Sequence, residues 1–166
     1  MVFYRRNRVK GGCYFFTVTL QDRSSTLLVE HITELRAAFR QAKARMPFQV
    51  DAIVVLPEHI HAIVTLPEGD DNYSSRWRLI KSLFTQKLLK KGVPLAANGR
   101  GEYNLWQRRF WEHTIRDAAD MQNHINYIHY NPVKHKLVEC VADWPHSSFH
   151  RYVRKGILLI DWIPKM

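Results

Sequence analysis

An α+β sandwich, in which helices pack on a four-stranded antiparallel sheet, is the architecture that this 166-residue sequence predicts. Three observations support it: apolar residues alternate at strand period in four short stretches, recur at helical period in three longer ones, and the two kinds of stretch interleave. Composition agrees, because 46% hydrophobic and 24% charged residues suit a globular core and exclude a disordered or fibrous chain. We expect one domain over residues 1–166, with a core of about 12–138 and an extension over 139–166.

Residues 13–20 open the pattern. Tyr14, Phe16, Val18 and Leu20 fall on one face and Cys13, Phe15, Thr17 and Thr19 on the other, as in a strand with one buried side. In residues 29–45 Ile32, Leu35, Ala38, Phe39 and Ala42 recur at helical spacing between charged residues. Val50, Ala52, Val54 and Leu56 alternate with Asp51, Ile53 and Val55, and Pro57 with Glu58 turns them into a second alternating run ending near Leu66. Ser74 or Ser75 caps the next helix, striped by Trp77, Ile80, Leu83, Phe84 and Leu88 and ended by Gly92. After a loop over 92–105, the aromatic stretch WQRRFWEHTI at 106–115 predicts a fourth strand. Asp117 then caps a helix that Pro132 is expected to end. This order, β-α-β-β-α-β with an appended helix, makes a ferredoxin-like sandwich with strands one and three central and one sheet face free of helix. The tail beyond Val138 reads as turn-rich.

Charge narrows the partner. Twenty-five Lys and Arg against fifteen Asp and Glu give a formal charge of +10, which favours a polyanion such as nucleic acid. The basic residues cluster: Arg5, Arg6, Arg8 and Lys10 lie in the first ten, and residues 73–116 set ten basic residues against Glu102 and Glu112 alone. Cys13 and Cys140 stand apart without metal or disulfide spacing, which points to a reducing compartment. With neither a secretory signal pattern nor a spanning apolar stretch, we expect a cytoplasmic protein and no membrane partner.

The stretch PEHIHAIV at 57–64 carries the chemistry. Ile60, Ala62, Val64 and Leu66 share the parity that packs under the helices, so His59 and His61 project from the other face, about 6–7 Å apart along the strand. Two imidazoles form an incomplete ligand set and need a further donor. The helix NHINYIHYNP at 123–132 can supply it, since Tyr127 and Asn131, four residues apart, share a face. Tyr130 lies nearly on that face, and spacing does not choose between the tyrosines.

PEHIHAIV, WQRRFWEHTIRD, HINYIHYNPVKHKLV and DWPHSSFHRYV occur in that order from residue 57 to residue 153. Together they resemble the REP-associated tyrosine transposases, relatives of the small single-tyrosine transposases in the HUH group of single-strand DNA nucleases. The resemblance implies a metal-dependent DNA endonuclease and strand transferase that acts on single-stranded DNA bearing REP-type hairpins. His59 and His61 correspond to the metal pair, Tyr127 to the nucleophile and Asn131, where relatives outside this subgroup have glutamine, to the third ligand of Mg²⁺ or Mn²⁺. It also implies a monomer or homodimer. For the DNA contacts we expect Arg5, Arg6, Arg76, Arg78, Lys81, Arg108 and Arg109, whereas Trp77 and Trp111 at amphipathic spacing are expected in the core. Competing expectations are a domesticated hairpin-binding protein that no longer cuts, a phosphodiesterase activating water, and an RNA-binding module.

Overall fold

The computed structural model describes residues 6–165, and its first element is the strand β1 (Cys13–Thr19). Two helices follow, α1 (Leu27–Glu30) and α2 (Ile32–Arg45), then the hairpin β2 (Gln49–Val55) and β3 (His59–Thr65). Beyond it lie α3 (Tyr73–Lys90), β4 (Trp111–Thr114), α4 (Ala118–Lys134) and, after a 3-10 turn at Val141–Asp143, α5 (Phe149–Arg154). The strands pair antiparallel in the order β2-β3-β1-β4, so β1 and β3 are central, as expected.

The pleat of these central strands separates two apolar layers. Tyr14, Phe16, Val18, Ile60, Ala62 and Val64 pack under α2 and α3 against Leu35, Ala38, Trp77, Ile80 and Phe84. Phe15, Ala52, Val54 and Ile63 point the other way. That second face is not free of helix, contrary to the sequence-based expectation: α4 lays Ile125 and Ile128 across it. The reason is energetic, since each apolar side chain so covered gains roughly 1.5–3 kcal/mol by leaving water.

Local chemistry explains the other departures. The α3 cap is Asn72, whose side-chain oxygen accepts from the Ser75 amide at 3.1 Å, not either serine. Only residues 111–114 of the fourth aromatic stretch pair as a strand, with Trp106 held by a single bridge to Leu20. Asp117 caps α4 as anticipated, accepting from the Asp120 amide at 2.8 Å. Pro132 does not end that helix. Its missing N–H removes one bond in the penultimate turn, and the ladder resumes when the His135 amide donates to the Asn131 carbonyl at 3.0 Å.

The helix closes three residues later. The Leu137 amide donates to the Pro132 carbonyl and the Lys136 amide to the Val133 carbonyl, both at 2.9 Å, with Lys136 in the left-handed region at φ 59°.

The tail is more ordered than a turn-rich extension. It runs along the free edge of β2, where the Val55 amide donates to the His146 carbonyl at 2.9 Å and the Ser148 amide to the Ile53 carbonyl at 2.8 Å. Ser148 Oγ also accepts from the Ile53 amide at 2.9 Å and is hydrogen-bonded to His129 Nε2 at 2.8 Å, pinning the tail to α4. Among the described residues, no helix is long and apolar enough to cross a membrane.

A non-glycine residue at φ 59° is strained by about 1–2 kcal/mol, of which the greater chain entropy of glycine would return part. Lys136→Gly should therefore stabilise the protein by about 0.5–1 kcal/mol, read as a rise of a few degrees in thermal midpoint. A fall in the midpoint would show that the lysine fits this conformation without strain.

Candidate active site

β3 delivers His59 and His61 to the face under α4, and both imidazoles are buried rather than displayed on an open sheet. Their Nε2 atoms approach to 3.1 Å. Two nitrogens each about 2.1 Å from a shared ion, at right angles about it, would also stand about 3 Å apart. The far side of each ring is fixed: His59 Nδ1 meets the Glu58 carboxylate, itself paired with Arg23, and His61 Nδ1 meets Thr17 Oγ1 at 2.8 Å. An ionised carboxylate only accepts, so His59 Nδ1 carries the ring proton.

Burial lowers the pKa of both rings, against the pull of Glu58 on His59; His61 is pushed down to about 3 by burial and then by the charge of His59. Both imidazoles are thus neutral near pH 7. With the proton on Nδ1, His59 aims a bare Nε2 lone pair at His61 Nε2, where either a proton on His61 Nε2 or a cation satisfies it.

The helical side of the site lies on one stripe of α4. The Tyr127 ring stands 5.2 Å from that of His61, and the His135 ring 5.5 Å from that of His59. Asn131 falls midway between these positions on the same stripe and is fully buried, with neither amide atom hydrogen-bonded. Its orphaned oxygen matches the third donor that the imidazole pair lacks, so the residues present fit a divalent ion. Tyr127 remains 37% exposed, and Lys134 Nζ lies 4.9 Å from its ring centroid. Among the described residues, Tyr130 makes no ring contact with either imidazole of the pair.

Beside Tyr127 opens a depression of about 360 Å³ lined by Phe15, Thr17, Trp111, Asn123 and His124. Trp77 is buried as expected, whereas Trp111 is 59% exposed, which corrects the expectation of a core residue. It lies at the start of the short edge strand β4, opposite Thr17, on the rim of the depression that α4 shares.

The basic residues divide. Arg6, Arg78, Lys81 and Arg108 converge, with Trp106 and Phe110, on a second depression of about 370 Å³. There burial, and then Arg6, push Lys81 down to about 8, while its ammonium donates to the Gln107 carbonyl at 3.0 Å. Arg109 is exposed nearby, and Arg5 lies outside the described residues. Arg76 leaves the candidate DNA-binding set: it is 4% exposed, and its guanidinium donates to Asp70 and to the carbonyls of Met46, Pro47 and Asn72. A second grouping joins β4 to the start of α4, where Asp120 accepts from His113 at 2.8 Å, lies 3.2 Å from His124 and also bonds Arg116. Burial raises the Asp120 carboxyl pKa, but these hydrogen bonds outweigh it and hold the group well below the usual carboxylate range. The three donor atoms lie within 4.8 Å of one another and satisfy each other without an ion.

Spacing did not reveal Thr17 or Lys134. Glu58, adjacent to the pair, carried a signal as a carboxylate in reach of a ligand histidine, and so did His135, four residues beyond Asn131, although a surface or core role is the commoner one for such a histidine.

The molecule is thus an α+β sandwich that holds two convergent imidazoles against a helical tyrosine, and known proteins resemble it in sequence and fold. Residues 9–131 match the family described as "Transposase IS200 like", and the chain belongs to that family. It is 50% identical to the REP-associated tyrosine transposase of Escherichia coli (strain K12) over 159 residues, 96% of this chain and 89% of the relative. A solved structure, the REP-associated tyrosine transposase bound to a REP hairpin, superposes with a TM-score of 0.88 at 49% identity, covering 99% of this chain and 93% of that one. A transposase-like structure from Deinococcus radiodurans shares the fold, with a TM-score of 0.51 at 17% identity, covering 77% and 98%.

A buried amide without partners costs about 1–3 kcal/mol. Asn131→Leu, similar in volume, should accordingly raise the stability of the metal-free protein by about that amount in urea unfolding. A loss of stability would mean that the amide is satisfied in solution.

Proposed function

We propose that this transposase-family chain is a divalent-metal-dependent single-stranded DNA endonuclease and strand transferase acting on REP-type hairpins. The observation that carries the proposal is the placement of the Tyr127 ring against His61, whose Nε2 converges with that of His59. The hairpin-bound relative, half identical in sequence, supports the substrate class.

His59, His61 and Asn131 would hold Mg²⁺ or Mn²⁺, which when bound neutralises charge on the scissile phosphate and favours the phenolate. Tyr127 is the nucleophile. Its oxygen forms a bond to phosphorus as the bond from phosphorus to the 3′ oxygen breaks, and the departing oxygen gains a proton to become a 3′-hydroxyl. The 5′-phosphotyrosine keeps the phosphodiester's bond energy, so attack by another 3′-hydroxyl rejoins strands and frees the phenol. Glu58 holds His59 in the tautomer that presents a bare Nε2, and Thr17 fixes the orientation of the His61 ring. Lys134 has no carboxylate partner among the described residues and lies over the nucleophile, where its ammonium meets the non-bridging phosphate oxygens. Trp111 offers a stacking surface for a base beside the reacting phosphate, while Arg6, Arg78, Lys81, Arg108 and Arg109 receive the backbone.

On a labelled single-stranded hairpin with Mn²⁺, Tyr127→Phe should abolish the covalent protein–DNA adduct on a denaturing gel, and Tyr130→Phe should retain it. An adduct that survives Tyr127→Phe sinks the assignment of the nucleophile. Hairpin binding without any adduct from the wild-type chain would leave a binding protein that does not cut, and free 5′-phosphate ends without adduct would indicate water as nucleophile.

Lys134→Gln should slow single-turnover cleavage by about 10²-fold, with Lys134→Arg recovering much of the rate and hairpin affinity changing little. Equal rates for Lys134→Gln and wild type would remove Lys134 from the reacting phosphate.

A further inference from the structure

The sheet has a basic groove at each edge, and only the one beside β4 belongs to the site described so far. Along the opposite edge, α2 and β2 enclose a groove of about 330 Å³ floored by Ile32, Leu35, Phe39 and Ile53. It continues past Arg36, Ser147 and Arg151 into an opening of about 490 Å³. Four arginines from two distant parts of the chain line this path: Arg36 and Arg40 of α2, and Arg151 and Arg154 of α5.

We propose that this groove binds a second segment of the DNA sugar–phosphate backbone, beyond the segment engaged at the catalytic depression. Three observations point to an external polyanion. Arg36, Arg40 and Arg154 are exposed and have no carboxylate partner among the described residues; Asp143 is the one acid on the lining, and Glu34 on the same helix is taken by Lys91. Arg36 and Arg40 stand four residues apart on one helical face, where like charges repel. Arg151 is held in place, donating to the carbonyls of Asp51 at 2.8 Å and Val50 at 3.2 Å, so its charge is fixed beside the groove. His146, also on the lining, keeps Nδ1 buried without a hydrogen-bond partner.

The shape selects among polyanions. Pairing of the tail with β2 occupies the backbone groups that an incoming peptide strand would need, so the groove cannot accept a peptide by extending the sheet. An apolar floor with an aromatic ring, rimmed by guanidinium groups, suits sugars and bases with phosphates along the rim. Four strands span only about 14 Å between the sheet edges, so one DNA molecule can reach both grooves.

This inference rests on the DNA-binding part of the function proposed above, but not on cleavage. Its test is the salt dependence of affinity, measured by fluorescence anisotropy with the full chain and a labelled single-stranded hairpin DNA. The triple variant Arg36→Gln/Arg40→Gln/Arg154→Gln should bind several-fold more weakly, and the slope of log Kd against log salt should fall by about 0.7–0.9 for each phosphate contact removed. Arg108→Gln/Arg109→Gln serves as the comparison at the other edge. An unchanged thermal midpoint in the triple variant, expected for side chains without partners, separates lost contacts from lost folding. If affinity and slope match wild type while the comparison variant weakens, the groove does not touch DNA and the inference fails. It fails also if poly-glutamate competes for the groove as well as DNA of equal charge, which would assign an acidic protein partner. Absence of DNA binding by the wild-type chain would instead overturn the functional proposal itself.

Discussion

The approach of two neutral imidazoles inside the sheet is the constraint on which the rest of the site depends. Two bare lone pairs 3.1 Å apart would repel, so the pair is satisfied by a proton on one Nε2 or by a cation between them, and burial keeps either ring from becoming a cation itself. The protein holds the arrangement from outside. Glu58 and Thr17 orient the rings, and the antiparallel β1–β3 register sets Thr17 opposite His61 on the neighbouring strand. A donor pair preorganised in this way would need no rearrangement on binding an ion.

α4 converts that pair into a site. Its apolar side, Ile125 and Ile128, fixes its distance from the sheet, and the adjacent stripe then presents Tyr127, Asn131 and His135 at successive turns. Three restraints hold the helix against sliding. Asp120 ties its first turn to β4 through His113, Ser148 grips His129 from the tail, and the left-handed residue after Lys134 closes its end. His129 illustrates the difference between a buried histidine that fastens and one that ligates. Burial, then Arg151, push it down to about 4, yet its Nε2 is occupied by a serine hydroxyl and its ring is enclosed by aromatic side chains.

Much of this was legible in the sequence, because strand parity and helical spacing are local. Alternation around His59 and His61 placed both rings on the face away from α2 and α3, and four-residue spacing put Tyr127 and Asn131 together. What lay hidden depended on contacts between distant segments. Trp111 has the amphipathic context of a core residue but sits at the start of a short edge strand, on the rim of an open depression, and Arg76 looks like any surface cation until the Met46 and Pro47 carbonyls close over it. Pro132 seemed to end the helix because the rule counts its lost bond and ignores the tertiary packing that carries α4 past it.

Separation of roles follows from the same geometry. The proposed catalytic groups occupy one face of the sheet, where the buried ones are neutral rings and an amide and the charged Lys134 stands outside, over the partly exposed Tyr127. The guanidinium groups lie at the edges, where water pays for their solvation until phosphate replaces it. A DNA strand following this pattern would meet its neutralising contacts first and its reacting contacts last. Affinity would then depend on salt through the edges, while the rate of bond cleavage would depend on how closely Tyr127, Lys134 and the imidazole pair surround a single phosphate.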